Sequence, residues 1–335
     1  MKATFLVRGR DGASVRFRVL QYLPHLRRLG IDPEVSDLTG SLPERVRALR
    51  AAARSDVVVV HRAFLTPLER LALGRSRWLF DFDDALMFRD SNRPRQRSWQ
   101  RRRRLAAMLR GAERVIAGNG YLAGWAAAHN PRVEVLPTPV DVDAHPGAPP
   151  PTPSPAVVGW IGTRPNLGYL QRVLPAIRRV ARGRHAPRIV IVADDFPADA
   201  SLPFNRKRWS LEEEAHDLAG FSVGLMPLTD DPWTRGKCGV KILQYFAAWV
   251  PAVCSPVGVN SEIVRHGVNG FLASTEDEWV EAIEALLGDE DLRRQCGNSG
   301  RRTVEERYSL APAAERLGAL LHGSPVSGRP AHTAS

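Results

Sequence analysis

The segment Gly236-Lys237-Cys238-Gly239-Val240-Lys241 sets two lysines and two glycines at the start of a helical pattern that opens near Val240. Free amides at a helix N-terminus, at the positive end of its dipole, form an anion site. Glycine lets the backbone approach an anion closely, and Lys237 and Lys241 add charge there. The chemistry these residues suit is the grip of a phosphate or diphosphate. A glycine turn flanked by two solvated lysines is the other reading. A second concentration is Asp81-Phe82-Asp83-Asp84, three carboxylates in four residues. Such a run can hold Mg²⁺ or Mn²⁺, serve an acceptor or act as general base through Asp83 or Asp84, or cap the local backbone. The loop Arg8–Arg18 is rich in glycine and arginine. Gly12 would let it approach phosphates, and Arg16 or Arg18 would meet an anionic acceptor, unless the loop is a plain connecting turn. His61 closes an apolar run, either as a base or acceptor contact or as a loop-facing polar residue without catalytic duty.

The elements that must position these residues alternate along the chain. Thr4–Val7, Asp56–Val60, Trp78–Phe82, Arg114–Ala117 and Val133–Leu136 read as strands, and the DVVVV run is apolar at every position after its Asp, as in a parallel sheet covered on both faces. Helical spacing falls on Arg16–Leu29 (with Pro24 inside it), Pro43–Ala53, Leu65–Leu73 and Gln100–Leu109. Residues 144–155 hold six prolines in twelve positions, a stiff extended linker. Alternation then restarts. Strands are expected at Val157–Ile161, Arg188–Ala193, Val223–Pro227 and Ala252–Ser255, with helices at Leu170–Ala181, Val240–Trp249, Glu276–Leu287 and part of Leu292–Tyr308. Strands separated by helices imply right-handed βαβ units. The expected fold class is α/β: two doubly wound, Rossmann-like domains facing each other across a cleft, with ligands at the carboxyl ends of the strands. The expected division is residues 1–143, linker 144–155, residues 156–310, a C-terminal helix at 311–322 packing back on the first domain, and a disordered tail at 323–335.

The chain has 335 residues, 44% hydrophobic and 25% charged, which is globular composition in a length suited to two cores. No apolar run approaches the roughly 20 residues a membrane-spanning helix needs. The apolar stretch before Arg8 is too short for a signal peptide. Three cysteines without paired ligand spacing fit a reducing cytoplasm. Residues 1–150 carry 26 Lys and Arg against 15 Asp and Glu, and residues 151–335 carry 21 against 21, so the net charge of +11 lies in the first half. That asymmetry suits phosphates, nucleic acid, or peripheral contact with an anionic membrane, for which Arg95–Arg104 with Trp99 is the densest basic run. It equally suits solvated helix faces. No helix-turn-helix, zinc or aromatic-platform pattern supports nucleic acid as a partner.

The stretch Leu225–Ala273 carries a more specific signal. Gln244-Tyr245-Phe246-Ala247-Ala248-Trp249-Val250-Pro251-Ala252-Val253-Cys254-Ser255, then Gly258, Glu262-Ile263-Val264 and Gly267-Val268-Asn269-Gly270-Phe271-Leu272 follow in order. This run resembles the donor-site region of glycosyltransferase family 4, the glycosyl transferases group 1, of GT-B fold. Val133–Asp143 and Gly159–Thr163 resemble that family's domain-boundary turn and its first C-domain strand and loop. The GKCG-x-K-x-LQY variant together with Phe80–Ala85 (FDFDDA) resembles a subgroup. The resemblance implies a soluble hexosyltransferase that moves a sugar from a UDP- or GDP-sugar with retention of configuration. It implies no metal and no cofactor beyond the nucleotide sugar. The acceptor stays open between a saccharide, a lipid-linked and a small-molecule compound. Four departures stand out. The first family glutamate, a sugar contact, falls on Gly236, for which Asp231 or Asp230 is a substitute. The second, a ribose contact, falls on Gln244, whose amide can still bind a diol. Trp249 stands where a small glycine is usual, and Asp83 stands where the family has a histidine.

The expected mechanism follows from charge. Cleaving the sugar–diphosphate bond builds negative charge on the leaving group, and fixed cations and amides stabilise that change. Lys241, Lys237 and Arg164 are the expected cations, with Gly162, Thr163 and Gly239 lining the donor. The expected location is the cytoplasm, peripheral to the inner membrane face. The alternatives are an inactive nucleotide-sugar binder and a nucleic-acid-binding protein.

Overall fold

The computed structural model describes residues 1–197 and 204–324. The chain divides into two compact units, one of residues 1–139, 236–238 and 310 onward, the other of residues 140–235 and 239–309. In the first unit, β1 (Lys2–Val7) is followed by α1 (Ala13–Arg18), α2 (Leu23–Arg28), β2 (Asp32–Asp37), α3 (Leu42–Ala52), β3 (Val57–His61), α4 (Pro67–Leu73), β4 (Trp78–Phe82), α5 (Trp99–Gly111), β5 (Arg114–Ala117), α6 (Gly120–Ala127) and β6 (Val133–Val135). The strands form one parallel sheet in the order β2-β1-β3-β4-β5-β6. Every residue of β3 and β4 is buried, because helices cover both faces. Ser41 and Thr66 start α3 and α4 through reciprocal capping boxes with Glu44 and Glu69, each with proline in the first turn.

The second unit runs β7 (Val157–Gly162), α7 (Leu167–Ala181), β8 (Arg188–Ala193), β9 (Phe204–Arg208), α8 (Glu214–Ala219), β10 (Val223–Met226), α9 (Val240–Ala247), β11 (Ala252–Cys254), α10 (Asn260–Ile263), β12 (Gly270–Leu272), α11 (Glu276–Gly288) and α12 (Glu290–Arg307). Its parallel sheet has the order β12-β11-β10-β7-β8-β9. Trp160, Leu174, Ile177, Ile191, Leu225, Trp279 and Ile283 lie in its main core. The chain then returns to the first unit as α13 (Leu310–His322). Its Leu310, Ala314, Leu317 and Leu321 join Phe5, Val7, Leu26 and Val57 in one apolar cluster. Arg77 closes the helix by donating to the carbonyls of Leu320 (3.2 Å) and Leu321.

Three expectations change. The helix read over Arg16–Leu29 is two helices separated by a 3₁₀ turn at Leu20–Tyr22, and Pro24 sits in the first turn of α2, where its missing N–H costs nothing. The strands β2, β9 and β12 fall outside the expected set. All three are edge strands. β2 and β9 are polar in composition, β12 spans only Gly270–Leu272, and Pro33 in β2 is the kind of residue an edge tolerates. The proline-rich stretch groups with the second unit. There the Pro146 carbonyl accepts from Trp249 Nε1 (2.8 Å) and Arg301 Nη1 (3.3 Å), so Trp249 anchors that strap. The tail beyond residue 324 lies outside the described residues. Among the described residues no helix is long and apolar enough to cross a membrane.

Candidate functional site

In the first unit β1, β3 and β4 are neighbours, so the segments leaving their carboxyl ends converge. Residues 14, 61, 62, 81, 83 and 84 meet there in one polar network. Asp81 is buried and pairs with Arg18, whose Nη1 also donates to the Leu136 carbonyl. On its other oxygen Asp81 faces His61 Nδ1 at 2.6 Å. His61 Nε2 lies 2.9 Å from Ser14 Oγ, and Ser14 reaches both Asp83 oxygens at 2.8 and 2.7 Å. Ser14 has one proton to give, to Asp83 or to Nε2. Nδ1 faces an ionised carboxylate that only accepts, so Nδ1–H donates there.

Arg62 follows His61 with φ of 56°, a left-handed conformation rare outside glycine. That turn aims its guanidinium at Asp84 (2.8 Å) and Asp83 (3.3 Å). Backbone strain of this kind persists where surrounding contacts over-determine it. Burial works against ionisation of Asp81, but Arg18 and His61 outweigh it and hold the carboxyl down at about 2, against 3.8 when unperturbed. Burial likewise opposes ionisation of Asp83, and Arg62, His61 and Arg18 together still keep its carboxyl below the usual range. A carboxylate held below its usual range is a weaker proton acceptor, and Asp83 accepts from Ser14.

The Asp81 shift fixes an expected pH dependence. A depressed folded-state pKa contributes stability above the unfolded value and loses it as pH falls through the folded one. Thermal melts by circular dichroism should therefore show the first unit weakening from pH 3.8 down to about 2. A loss complete already by about pH 5 would contradict the pairing.

Residues 236–238 pack into this same unit. Asn119, the N-cap of α6, donates from Nδ2 to the carbonyls of Gly236 (3.0 Å) and Lys237 (3.2 Å). The Cys238 thiol lies 3.3 Å from the Asp83 carbonyl oxygen, and burial, then Asp83, push its pKa up, so it is a neutral thiol at pH 7. A side chain at Gly118 would strike Cys238 Sγ at 2.5 Å, which is why the approach needs glycine there. A Cβ on Gly236 would fall 2.6 Å from Ala85 Cβ and 2.8 Å from its backbone nitrogen. No glutamate fits that position. Lys237 Nζ lies 3.8 Å from Asp84.

In the second unit Gly239 is the N-cap of α9 in the left-handed conformation, φ 66° and ψ 17°. A Cβ there would sit 2.4 Å from Ile263 Cδ1, so the turn packs directly on α10. Lys241 Nζ lies 5.9 Å from the ring centroid of Trp160, which tops β7. Gln244 is 4% exposed, and its Nε2 is buried without a hydrogen-bond partner among the described residues. A buried amide donor left unpaired costs about 1–3 kcal/mol and calls for an explanation. Tyr245 fixes the helix on the sheet, accepting from Ile161 N (3.2 Å) and donating to the Leu225 carbonyl (3.1 Å).

Several expected site residues are engaged by neighbours within their own unit. Arg18 and His61, expected to meet an acceptor, are 3% and 1% exposed and are spent on Asp81 and Ser14. Asp231 organises its own loop, accepting from Trp233 N (2.9 Å), Thr234 N (3.0 Å) and Thr229 Oγ1 (3.1 Å). Asp230 pairs with Arg235. Lys237 and Lys241, read as one cationic pair, belong to different units. Arg16 stacks over Phe17 at 4.2 Å, and Gly12 caps α1 at an ordinary φ of −70° that any residue could adopt. Gly162, Thr163 and Arg164 follow β7. A Cβ on Gly162 would strike the Trp160 ring, Thr163 accepts from Asn166 Nδ2 (2.9 Å), and the Arg164 side chain is 79% exposed beside Asp195. Sequence reasoning missed Ser14, Arg62 and Asn119. Among the described residues no cluster of three or more His, Cys, Asp or Glu is arranged for a metal ion. Asp81 and Asp83 turn to different partners, which is the physical reason the three-carboxylate run does not gather.

Two parallel sheets with flanking helices, each with its polar residues at the carboxyl ends of the strands, define a GT-B fold. Over 96% of this chain it is similar to 98% of a sucrose-phosphate synthase from Thermosynechococcus elongatus, at a TM-score of 0.76 and 14% identity. It is similar to all of Anabaena HepE, solved in complex with UDP-glucose, over 96% of this chain at 0.72 and 14% identity. Residues 232–303 match the family model described as Glycosyl transferases group 1. EpsD of Bacillus subtilis (strain 168) is 28% identical over 152 residues, 44% of this chain and 38% of EpsD, so the match spans well under half of that relative.

Proposed function

We propose that this protein is a glycosyltransferase that takes a sugar from a nucleoside-diphosphate donor held at the turn before α9. The observation that carries the reading is Gly239. A left-handed glycine caps an amphipathic helix whose first turn holds Lys241, in the segment that matches the group 1 family model. The unpaired Gln244 amide supports it, since a ribose hydroxyl would supply the missing acceptor. Structural neighbours solved with UDP and UDP-glucose support a nucleotide-sugar donor.

In this reading the anomeric carbon–oxygen bond breaks with its electron pair going to the β-phosphate oxygen. Lys241 and the α9 amides stabilise the charge that collects there, and Arg164, exposed beside β7, adds a second cation. The acceptor hydroxyl oxygen bonds to the same carbon and its proton passes to the departing β-phosphate oxygen, with retention of configuration and with no metal or resident cofactor. Replacing Lys241 by alanine should lower turnover by about tenfold or more while the circular dichroism spectrum is unchanged. Wild-type rates in that variant would remove Lys241 from the mechanism. The donor is found by a thermal-shift screen of UDP-, GDP-, dTDP- and ADP-sugars, because a tight ligand raises the melting point by mass action.

One observation favours a second reading, an inactive nucleotide-sugar binder: Gly236 cannot carry the sugar-contacting side chain that the resembling family places there. Donor binding without transfer or hydrolysis, across a panel of saccharide, lipid-linked and small-molecule acceptors, would select it.

A further inference from the structure

We propose that the outer face of α4 and α5 is a docking surface for an anionic lipid bilayer. The two helices are neighbours. Arg70 of α4 donates from Nη1 to the Ala107 carbonyl of α5 at 3.1 Å, and Leu65, just ahead of α4, donates its N–H to Met108 Sδ at 3.3 Å. Residues 91–111 hold eight arginines and no carboxylate. On α4 the one acidic residue, Glu69, is fully buried and turned toward Arg45. The outward positions of α5 recur at helical spacing as Trp99, Arg103, Arg104 and Arg110, while Leu105, Ala106, Met108 and Leu109 face the core.

Three large apolar side chains on these two neighbouring helices are exposed to solvent. Leu71 is 75% exposed, Trp99 70% and Leu68 53%. Arg103 stacks on the Trp99 ring at 5.3 Å. Single exposed apolar residues need no explanation, but two leucines and a tryptophan set among arginines with no intervening carboxylate do. Arginine and tryptophan both suit the headgroup boundary, the one through its charge and the other through an apolar body with a polar edge. Leucine gains only where acyl chains begin. A phosphate-bearing nucleic acid would satisfy the arginines and leave Leu68 and Leu71 in water, so charge and apolar exposure together favour a bilayer. The inference does not rest on the transferase reading, since vesicle binding needs no sugar donor.

The test is co-sedimentation of the full chain with vesicles of phosphatidylcholine containing roughly one-third phosphatidylglycerol, against phosphatidylcholine alone. Binding is expected to the anionic vesicles only, and to weaken at roughly 0.5 M salt as screening shortens. The variants Leu68→Ser/Leu71→Ser and Arg103→Glu/Arg104→Glu change exposed positions and should each lower the vesicle partition coefficient by at least about fivefold, with unchanged circular dichroism. Tryptophan emission should shift blue on binding in wild type, and less in Trp99→Phe. Equal binding to neutral vesicles, wild-type partition in both variants, or binding to duplex RNA with none to anionic vesicles would each overturn the proposal.

Discussion

Replacing Arg18 by methionine is expected to destabilise the first unit by about 3–5 kcal/mol, because it leaves a buried charge without its strongest partner. Asp81 is buried between Arg18 and His61, and Arg18 supplies the largest share of what holds its carboxyl ionised. Methionine matches the packing volume but offers neither charge nor donor, and the Leu136 carbonyl loses its bond from Nη1 as well. The double variant Arg18→Met/Asp81→Leu should recover a large part of the loss, since removing both members of a buried pair is far less costly than removing one. Urea unfolding of the wild type, the single and the double variant measures this. Equal losses in the single and the double variant would show that the pair contributes as packing and not as charge.

The second large effect is expected at Gly239. Valine there meets two costs at once. A β-branched residue is a steric outlier at φ 66°, and its Cβ would fall 2.4 Å from Ile263 Cδ1 and 3.3 Å from Val259 Cγ2. The clash can be relieved by shifts of the Ile263 and Val259 side chains, but the backbone strain at φ 66° cannot, so the turn opens and moves the first amides of α9 and Lys241. Displacing catalytic groups by about 1 Å costs on the order of 100-fold in rate. Gly239→Val should therefore lose about two orders of magnitude in turnover and keep its fold, because the atoms it strikes are ends of side chains that can shift. Gly267→Ala is the matched control. Its φ is 75° in the same unit, with nothing within 4 Å of the added Cβ, so it bears backbone strain without disturbing the turn. Its turnover should stay within about threefold of wild type. Steady-state kinetics with the donor found by screening separates the two variants. A similar fall in both would assign the effect to stability alone.

Much of the fold was legible because burial on both faces writes itself into composition. The Val57–Val60 run could only be a central strand, and Val157–Ile161 likewise. The edge strands β2, β9 and β12 were not legible. Asp32–Asp37, Phe204–Arg208 and Gly270–Leu272 each pair with a single neighbour; the first two need no apolar alternation, and the third is too short to show one. The break between α1 and α2 was foreshadowed by Pro24, though not its 3₁₀ form.

The site divides in the same way. Asp83, Asp84, Lys237, Lys241 and Gly239 stand out by type and spacing within short segments. Ser14 does not, because its partners are 47 and 69 residues away and meet it only through the strand order β1-β3-β4. Arg18 and His61 stand out by type, but side-chain identity does not reveal that a neighbouring aspartate engages them. Asn119 carries one signal in hindsight: it precedes a helix as a cap, leaving its amide nitrogen for the Gly236 and Lys237 carbonyls.

The claim on which the rest depends is that the glycine turn ahead of α9 receives a pyrophosphate. Titration calorimetry tests it with the nucleoside diphosphate of whichever sugar donor gives the largest thermal shift, and with the matching monophosphate. Saturable binding of the diphosphate is expected, with the monophosphate at least about tenfold weaker and the preference lost in Lys241→Ala. Equal affinity for the two nucleotides, or no binding of either, would contradict the account.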